Sequence, residues 1–154
     1  MNAKPSILEA VKIQARAVIP IVKALEREVG RERAFAIVGS AIADDYAQRQ
    51  SKRIPVKNLH PRSGGSASVF PVETQIVDDS ENTFGVNMTQ CQFAQYFRSI
   101  GEPEIGALLT CGVDFANEAL QRPDWTFTRT QTLMQGAPHC DFRWRLRSHD
   151  DSQA

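Results

Sequence analysis

No apolar run in this sequence approaches the roughly 20 residues that a membrane-crossing helix needs, and residues 1–6 lead into an amphipathic stretch rather than an apolar one. Neither sign of charge is in excess. Eighteen basic residues balance eighteen acidic ones, which removes the electrostatic footprint of a protein that binds duplex nucleic acid or a membrane surface. Cysteine is scarce as well: three residues are too few, and odd in number, for a secreted disulfide framework. These absences point to a cytoplasmic protein with reduced thiols and argue against nucleic acid or a membrane as its partner; a homo-oligomer is compatible with all of them. There is also no CxxC pair and no HxxxH, so any metal site would have to gather its ligands from separate elements.

At 154 residues the chain is the size of one domain, residues 1–154, able to bury a core without staples. Its first part, residues 5–50, reads as helical. Val11, Ala15, Val18, Val22, Leu25 and Val29 recur at steps of four and three, the spacing of one helical stripe. Pro20 either kinks this helix or starts a second one in its first turn, and Gly30 supplies the stop. Phe35, Val38, Ile42 and Tyr46 form the stripe of a further helix over about residues 31–49. Residues 50–68 lose periodicity, turn basic and then rich in turn formers, as a long loop or lid does, with His60 exposed on it.

The remaining part, residues 69–147, alternates between strand and helix patterns. Phe70, Val72, Thr74 and Ile76, then a polar turn over residues 78–82, then Phe84, Val86 and Met88 predict an antiparallel hairpin. Thr89 and Gln92 have capping-box spacing, which predicts Cys91 in the first turn of a helix with Phe93, Phe97 and Ile100 inside, where the helix dipole lowers a thiol pKa. Gly101 and Pro103 mark the end of that helix and the start of another, whose stripe is Ile105, Leu108, Gly112 and Phe115. On a second face of the same helix Ala107, Cys111, Asp114 and Glu118 share one direction. Strict alternation over residues 125–134 predicts a strand with Trp125, Phe127 and Arg129 on one face. A last strand then places Cys140, Phe142, Trp144 and Leu146 on one side, and Arg143, Arg145 and Arg147 on the solvated side. The fold class is therefore α+β, an antiparallel sheet of about four strands packed against helices.

All three cysteines, Cys91, Cys111 and Cys140, fall within residues 88–145, and nothing earlier offers comparable chemistry. Three readings are open. One is a thiol nucleophile, with His139 as acid or base and Asp114 holding charge. Another is a zinc site from the three thiols and His139, which the spacing does not favour; apart from zinc no cofactor is expected. The third is unreactive buried thiols. Arg129 on a core face calls for an anion, either Asp114 or the carboxylate of a ligand.

The ordered segments Cys91-Gln92-Phe93-Ala94, Tyr96-Phe97, Gly101-Glu102-Pro103-Glu104, Leu109-Thr110-Cys111-Gly112-Val113-Asp114, Phe127 to Leu133, and Gly136 with Cys140-Asp141-Phe142 resemble the motifs of the L-2-amino-thiazoline-4-carboxylic acid hydrolase family. The last is also similar to small-ligand domains of the vinyl-reductase type, whose resemblance implies an α+β fold and, as the alternative function, ligand binding without catalysis. The hydrolase resemblance implies ring opening of a cyclic isothiourea that bears a carboxylate. For such a substrate Cys111, Asp114, Cys140 and His139 are the catalytic candidates, and Arg129, Cys91, Asp141 and Thr130 the substrate-binding ones.

Overall fold

The computed structural model describes residues 5–50, 59–63 and 72–148. Two long helices come first, α1 (Ile7–Val29) and α2 (Arg31–Gln50). Ser6 caps α1 by accepting the Glu9 N–H through its hydroxyl. The helix runs unbroken through Pro20, whose ring lies on the exposed side. Gly30 separates the two helices at φ +80°, its N–H donating to the Glu26 carbonyl of α1 and its carbonyl accepting the Ala34 N–H in the first turn of α2. The α2 stripe of Phe35, Val38, Ile42 and Tyr46 is half-buried as its spacing requires.

A hairpin follows, β1 (Val72–Asp79) and β2 (Thr83–Cys91), and then α3 (Gln92–Ser99), α4 (Pro103–Leu109), α5 (Asp114–Gln121), β3 (Trp125–Thr128) and β4 (Cys140–Leu146). The four strands form one antiparallel sheet in the order β1-β2-β4-β3, so the chain is an open sheet packed with helices, in the α+β class. Asp78 and Asp79 belong to β1 rather than to the turn, because Ser80 and Thr83 close the hairpin between them. Phe70 lies outside the described residues, as does most of the expected loop. His60, expected to be exposed, is half-buried: its ring stands edge-on to Phe84 and Trp125, and its Nε2 lies 3.0 Å from the Ser80 carbonyl oxygen.

The interior has two parts. Phe84, Val86, Trp125, Cys140, Phe142 and Trp144 form an aromatic layer on one face of the sheet. Ala15, Phe93, Ala94, Phe97 and Met134 form a second layer among the helices. Leu133 packs against both, so the segment after β3 lies along their seam. The expected inner stripe of α3 holds for Phe93 and Phe97, but Ile100 is the C-cap residue and is exposed. Gly101 at φ +74° then turns the chain, with the Glu102 N–H reaching the Phe97 carbonyl. Arg143 is not on a solvated face: it is half-buried, donating to the Val86 carbonyl and to Asn87 Oδ1.

Two expected elements are shorter than their patterns. The single helix carrying Cys111 and Asp114 is broken at Thr110, whose hydroxyl donates to the Gly106 carbonyl at 2.7 Å and whose backbone leaves the helical region at φ −126°. Residues Cys111–Val113 make one 3-10 turn before α5 restarts at Asp114, and Gly112 and Phe115, expected inside, are exposed. Similarly β3 stops at Thr128 instead of running to residue 134, because the N–H groups of Thr130 and Gln131 bond to the Asp141 side chain and not to a strand ladder.

Candidate functional site

The break at Thr110 is what builds the site. It turns Cys111 and Asp114 toward the end of β3, where Arg129 meets both. The Arg129 guanidinium donates through Nη1 to Asp114 Oδ2, and through Nη1 and Nη2 to the Cys111 carbonyl at 3.3 Å. Phe115 and Phe142 flank the cation, their ring centroids 5.2 and 5.6 Å from its Cζ. The Arg129 side chain is 10% exposed and that of Asp114 31%, so the arginine is enclosed and the carboxylate is half-buried.

The three thiols share this neighbourhood. The Asp114 charge acts on Cys91, Cys111 and Cys140, and the Arg129 charge on Cys111 and Cys140. Cys140 belongs to the sheet layer, while Cys91 and Cys111 border the helical one. All three remain free thiols. Burial pushes the Cys111 thiol up to about 11 against the counter-pull of the Thr110 hydroxyl. Burial also raises Cys140, offset in part by the Leu133 N–H that its sulfur accepts at 3.2 Å.

Cys91 is not in the first turn of α3. It is the last residue of β2 and the N-cap of the helix, in extended conformation, so the expected capping box is absent. Burial raises its thiol, with the N–H groups of Ala94 and Phe93 pulling the other way, and the expected lowering by the helix dipole does not prevail.

Asp114 moves the opposite way from a salt-bridged surface carboxylate. Loss of water pushes it up to about 6; Arg129 draws it down and Glu118 adds to the rise. A carboxyl at that value is a proton acceptor matched to neutral solution. Glu118 itself accepts from Arg122 Nη1 at 2.6 Å and Trp144 Nε1 at 2.8 Å, which fastens α5 to the sheet.

Asp141 and Thr130 are bonded to each other. Asp141 accepts the Thr130 N–H at 2.9 Å, the Gln131 N–H at 2.8 Å and the Thr130 hydroxyl at 2.5 Å. Burial acts to raise this carboxyl, but those bonds outweigh it and hold it below its ordinary value. His139 engages through its carbonyl, which accepts from Gln131 Nε2 at 3.1 Å. Among the described residues no group of three or more His, Cys, Asp or Glu side chains is placed to hold a metal ion. Nor is any helix among them long and apolar enough to cross a membrane.

The pattern that defines the L-2-amino-thiazoline-4-carboxylic acid hydrolase family matches residues 10–144. The chain belongs to that family. No curated protein matches the chain. The family match spans both helical hairpin and sheet, and so takes in every residue of the Arg129 and Asp114 cluster. The rings of Phe115 and Phe142 beside Arg129 were hidden from sequence reasoning, since both phenylalanines read as ordinary core positions.

Proposed function

We propose that the protein hydrolyses the ring of a small cyclic isothiourea bearing a carboxylate, 2-amino-thiazoline-4-carboxylate in the first instance, at the cluster of Arg129, Asp114 and Cys111. One observation carries this reading: a guanidinium and a carboxylate are bonded to each other close enough to the Cys111 thiol for both charges to act on it, with the carboxylate the more exposed of the two. The substrate has the complementary charges on one molecule. Its amidinium replaces Arg129 on Asp114, and its carboxylate replaces Asp114 on Arg129. Each internal charge keeps a partner, and the ring carbon between nitrogen and sulfur is held near Cys111.

In the free protein the Cys111 thiol is protonated, its pKa pushed up to about 11. A bound cation favours the thiolate. The sulfur attacks the ring carbon and gives its proton to Asp114. As that carbon becomes tetrahedral the amidinium charge disappears and Asp114 recovers its proton affinity. The ring carbon–sulfur bond breaks because a thiol leaves more readily than an amine, and Asp114 returns the proton to the departing sulfur. Water, deprotonated by Asp114, then displaces Cys111, which takes that proton back. The remaining hydroxyl proton of that second tetrahedral carbon leaves to solvent as the carbonyl forms, so the sum is amidinium substrate plus one water, giving an N-carbamoyl aminothiol carboxylate and one proton. His139 is not required for any of these proton transfers.

A second reading is favoured by the rise of all three thiols, the condition of unreactive cysteines. In it Asp114 activates water directly and Cys111 only packs. Purified protein incubated with 2-amino-thiazoline-4-carboxylate is expected to add one water to the substrate mass. Loss of turnover in both Cys111→Ala and Asp114→Asn supports the thiol route, and survival of activity in Cys111→Ala supports the water route. Unchanged substrate, with and without added divalent metal, excludes the named substrate.

A further inference from the structure

The strand pattern of residues 125–134 predicts that Thr130 and Gln131 extend the β3–β4 ladder. Continuing the register of Thr128 with Arg143 would place Thr130 opposite Asp141. Instead the ladder ends at Thr128 and the next residues are held by side chains. Asp141 takes the N–H groups of Thr130 and Gln131 and the Thr130 hydroxyl. Gln131 Nε2 reaches the His139 carbonyl and the Leu133 N–H reaches Cys140 Sγ. Arg129 is the residue between the last rung of the ladder and the first of these fastenings.

We propose that Asp141 is a positioning residue whose carboxylate peels residues 129–131 away from the sheet and thereby fixes the Arg129 guanidinium between Asp114, the Cys111 carbonyl and an incoming substrate carboxylate. It accepts three bonds on two oxygens, leaving little capacity for a substrate group, which separates it from the ligand-contacting role its place in the sequence implies. Without it two backbone N–H groups lose their acceptors. The strand can then relax toward a regular ladder, which carries Arg129 along the sheet and away from Asp114. Cys140 acts in the same direction as an N–H acceptor, so its sulfur is engaged in the fold.

The catalytic part of this inference rests on the proposed hydrolysis, and the test has an arm that does not. In Asp141→Ala, KM for 2-amino-thiazoline-4-carboxylate is expected to rise about 10- to 100-fold with a smaller change in kcat. Turnover of 2-amino-2-thiazoline, which lacks the carboxylate, should change much less when both compounds are measured at pH 8, well above the Asp114 midpoint of the parent protein. Asp141→Asn keeps an oxygen for the two N–H groups and should recover most of the loss. A merely structural role would lower the active fraction equally for both compounds and leave their ratio alone.

The second arm needs no turnover. The Asp114 carboxyl, followed by carbon-13 NMR, should titrate near 6 in the parent protein. It should move to higher pH in Asp141→Ala, since Arg129 no longer draws it down, and stay near the parent in Asp141→Asn. Glu118 and the thiols of Cys91, Cys111 and Cys140 are the other titratable groups acting in this cluster, and all three proteins share them. An Asp114 midpoint that does not move in Asp141→Ala overturns the proposal, as does an equal kinetic loss for both compounds. If the alanine variant does not fold, Thr130→Val removes one of the three bonds and should give a smaller shift in the same direction. Absence of turnover in the parent protein rejects the hydrolysis, while the NMR arm still decides the role of Asp141.

Discussion

Replacing Asp114 by asparagine should stabilise the protein at neutral pH while stopping its chemistry. Raising a carboxyl from its ordinary 3.8 to about 6 means that its ionised form is less favourable in the folded chain than in the unfolded one. The difference corresponds to about 3 kcal/mol. With 31% of the side chain exposed, screening reduces this to about 1–2 kcal/mol. The sign follows from proton linkage: the folded state binds the Asp114 proton more tightly, so the contribution to stability is full below about pH 4 and is lost as pH rises through about 6. Asparagine, always neutral, keeps it at every pH. Urea denaturation at pH 7.5 should therefore show a gain in Asp114→Asn that shrinks as the pH is lowered through 6 toward 4. Melting temperature should rise by about 2–4 °C for each kcal/mol gained. The competing view is that Arg129 and Asp114 form a purely structural bridge, and removing one partner of such a pair costs about 3–5 kcal/mol. A loss of that size at pH 7.5, or a gain that does not vary with pH, would refute the reasoning.

The rate constant kcat/KM should rise with pH through a midpoint near 6 set by Asp114, measured with 2-amino-thiazoline-4-carboxylate from pH 4.5 to 8; a profile flat across that interval contradicts Asp114 as the proton acceptor. Alkylation of Cys111 by iodoacetamide, followed by peptide mass analysis at pH 7.5, should be much slower than that of an ordinary exposed thiol, because its pKa is pushed up to about 11. Gly106→Ala should destabilise the fold by about 1–3 kcal/mol in urea titration, since the added methyl would lie 2.6 Å from Phe97 Cβ, inside the fully buried ring packing of α3 on α4.

Much of the fold was legible because its signals are local. The two-residue period of Cys140, Phe142, Trp144 and Leu146 sets one face of β4, and all but Leu146 are buried there. Gly30 and Gly101 sit at positive φ where the helical patterns stop. What escaped came from side chains that act across sequence. Steps of three and four continue through Cys111, Asp114 and Glu118, so nothing in the spacing shows that the Thr110 hydroxyl ends the helix before them. The alternation from Trp125 to Met134 is perfect, yet the strand ends after four residues because Asp141, eleven positions beyond Thr130, takes its N–H groups. Thr89 and Gln92 have the spacing of a capping box, but strand pairing extends to Cys91, opposite Val72, and outcompetes the early helix start. The meeting of Arg129 with Asp114 was legible as a charge needing an anion, and the two phenylalanines around it were not.

The most direct measurement is carbon-13 NMR of 2-amino-thiazoline-4-carboxylate labelled at the carbon between nitrogen and sulfur, followed in the presence of the parent protein and of Asp114→Asn. The account predicts that the isothiourea resonance is replaced by a carbamoyl resonance, with one new thiol per turnover, in the parent protein only. A resonance that persists unchanged with the parent protein, or one that converts equally fast with Asp114→Asn, would contradict it.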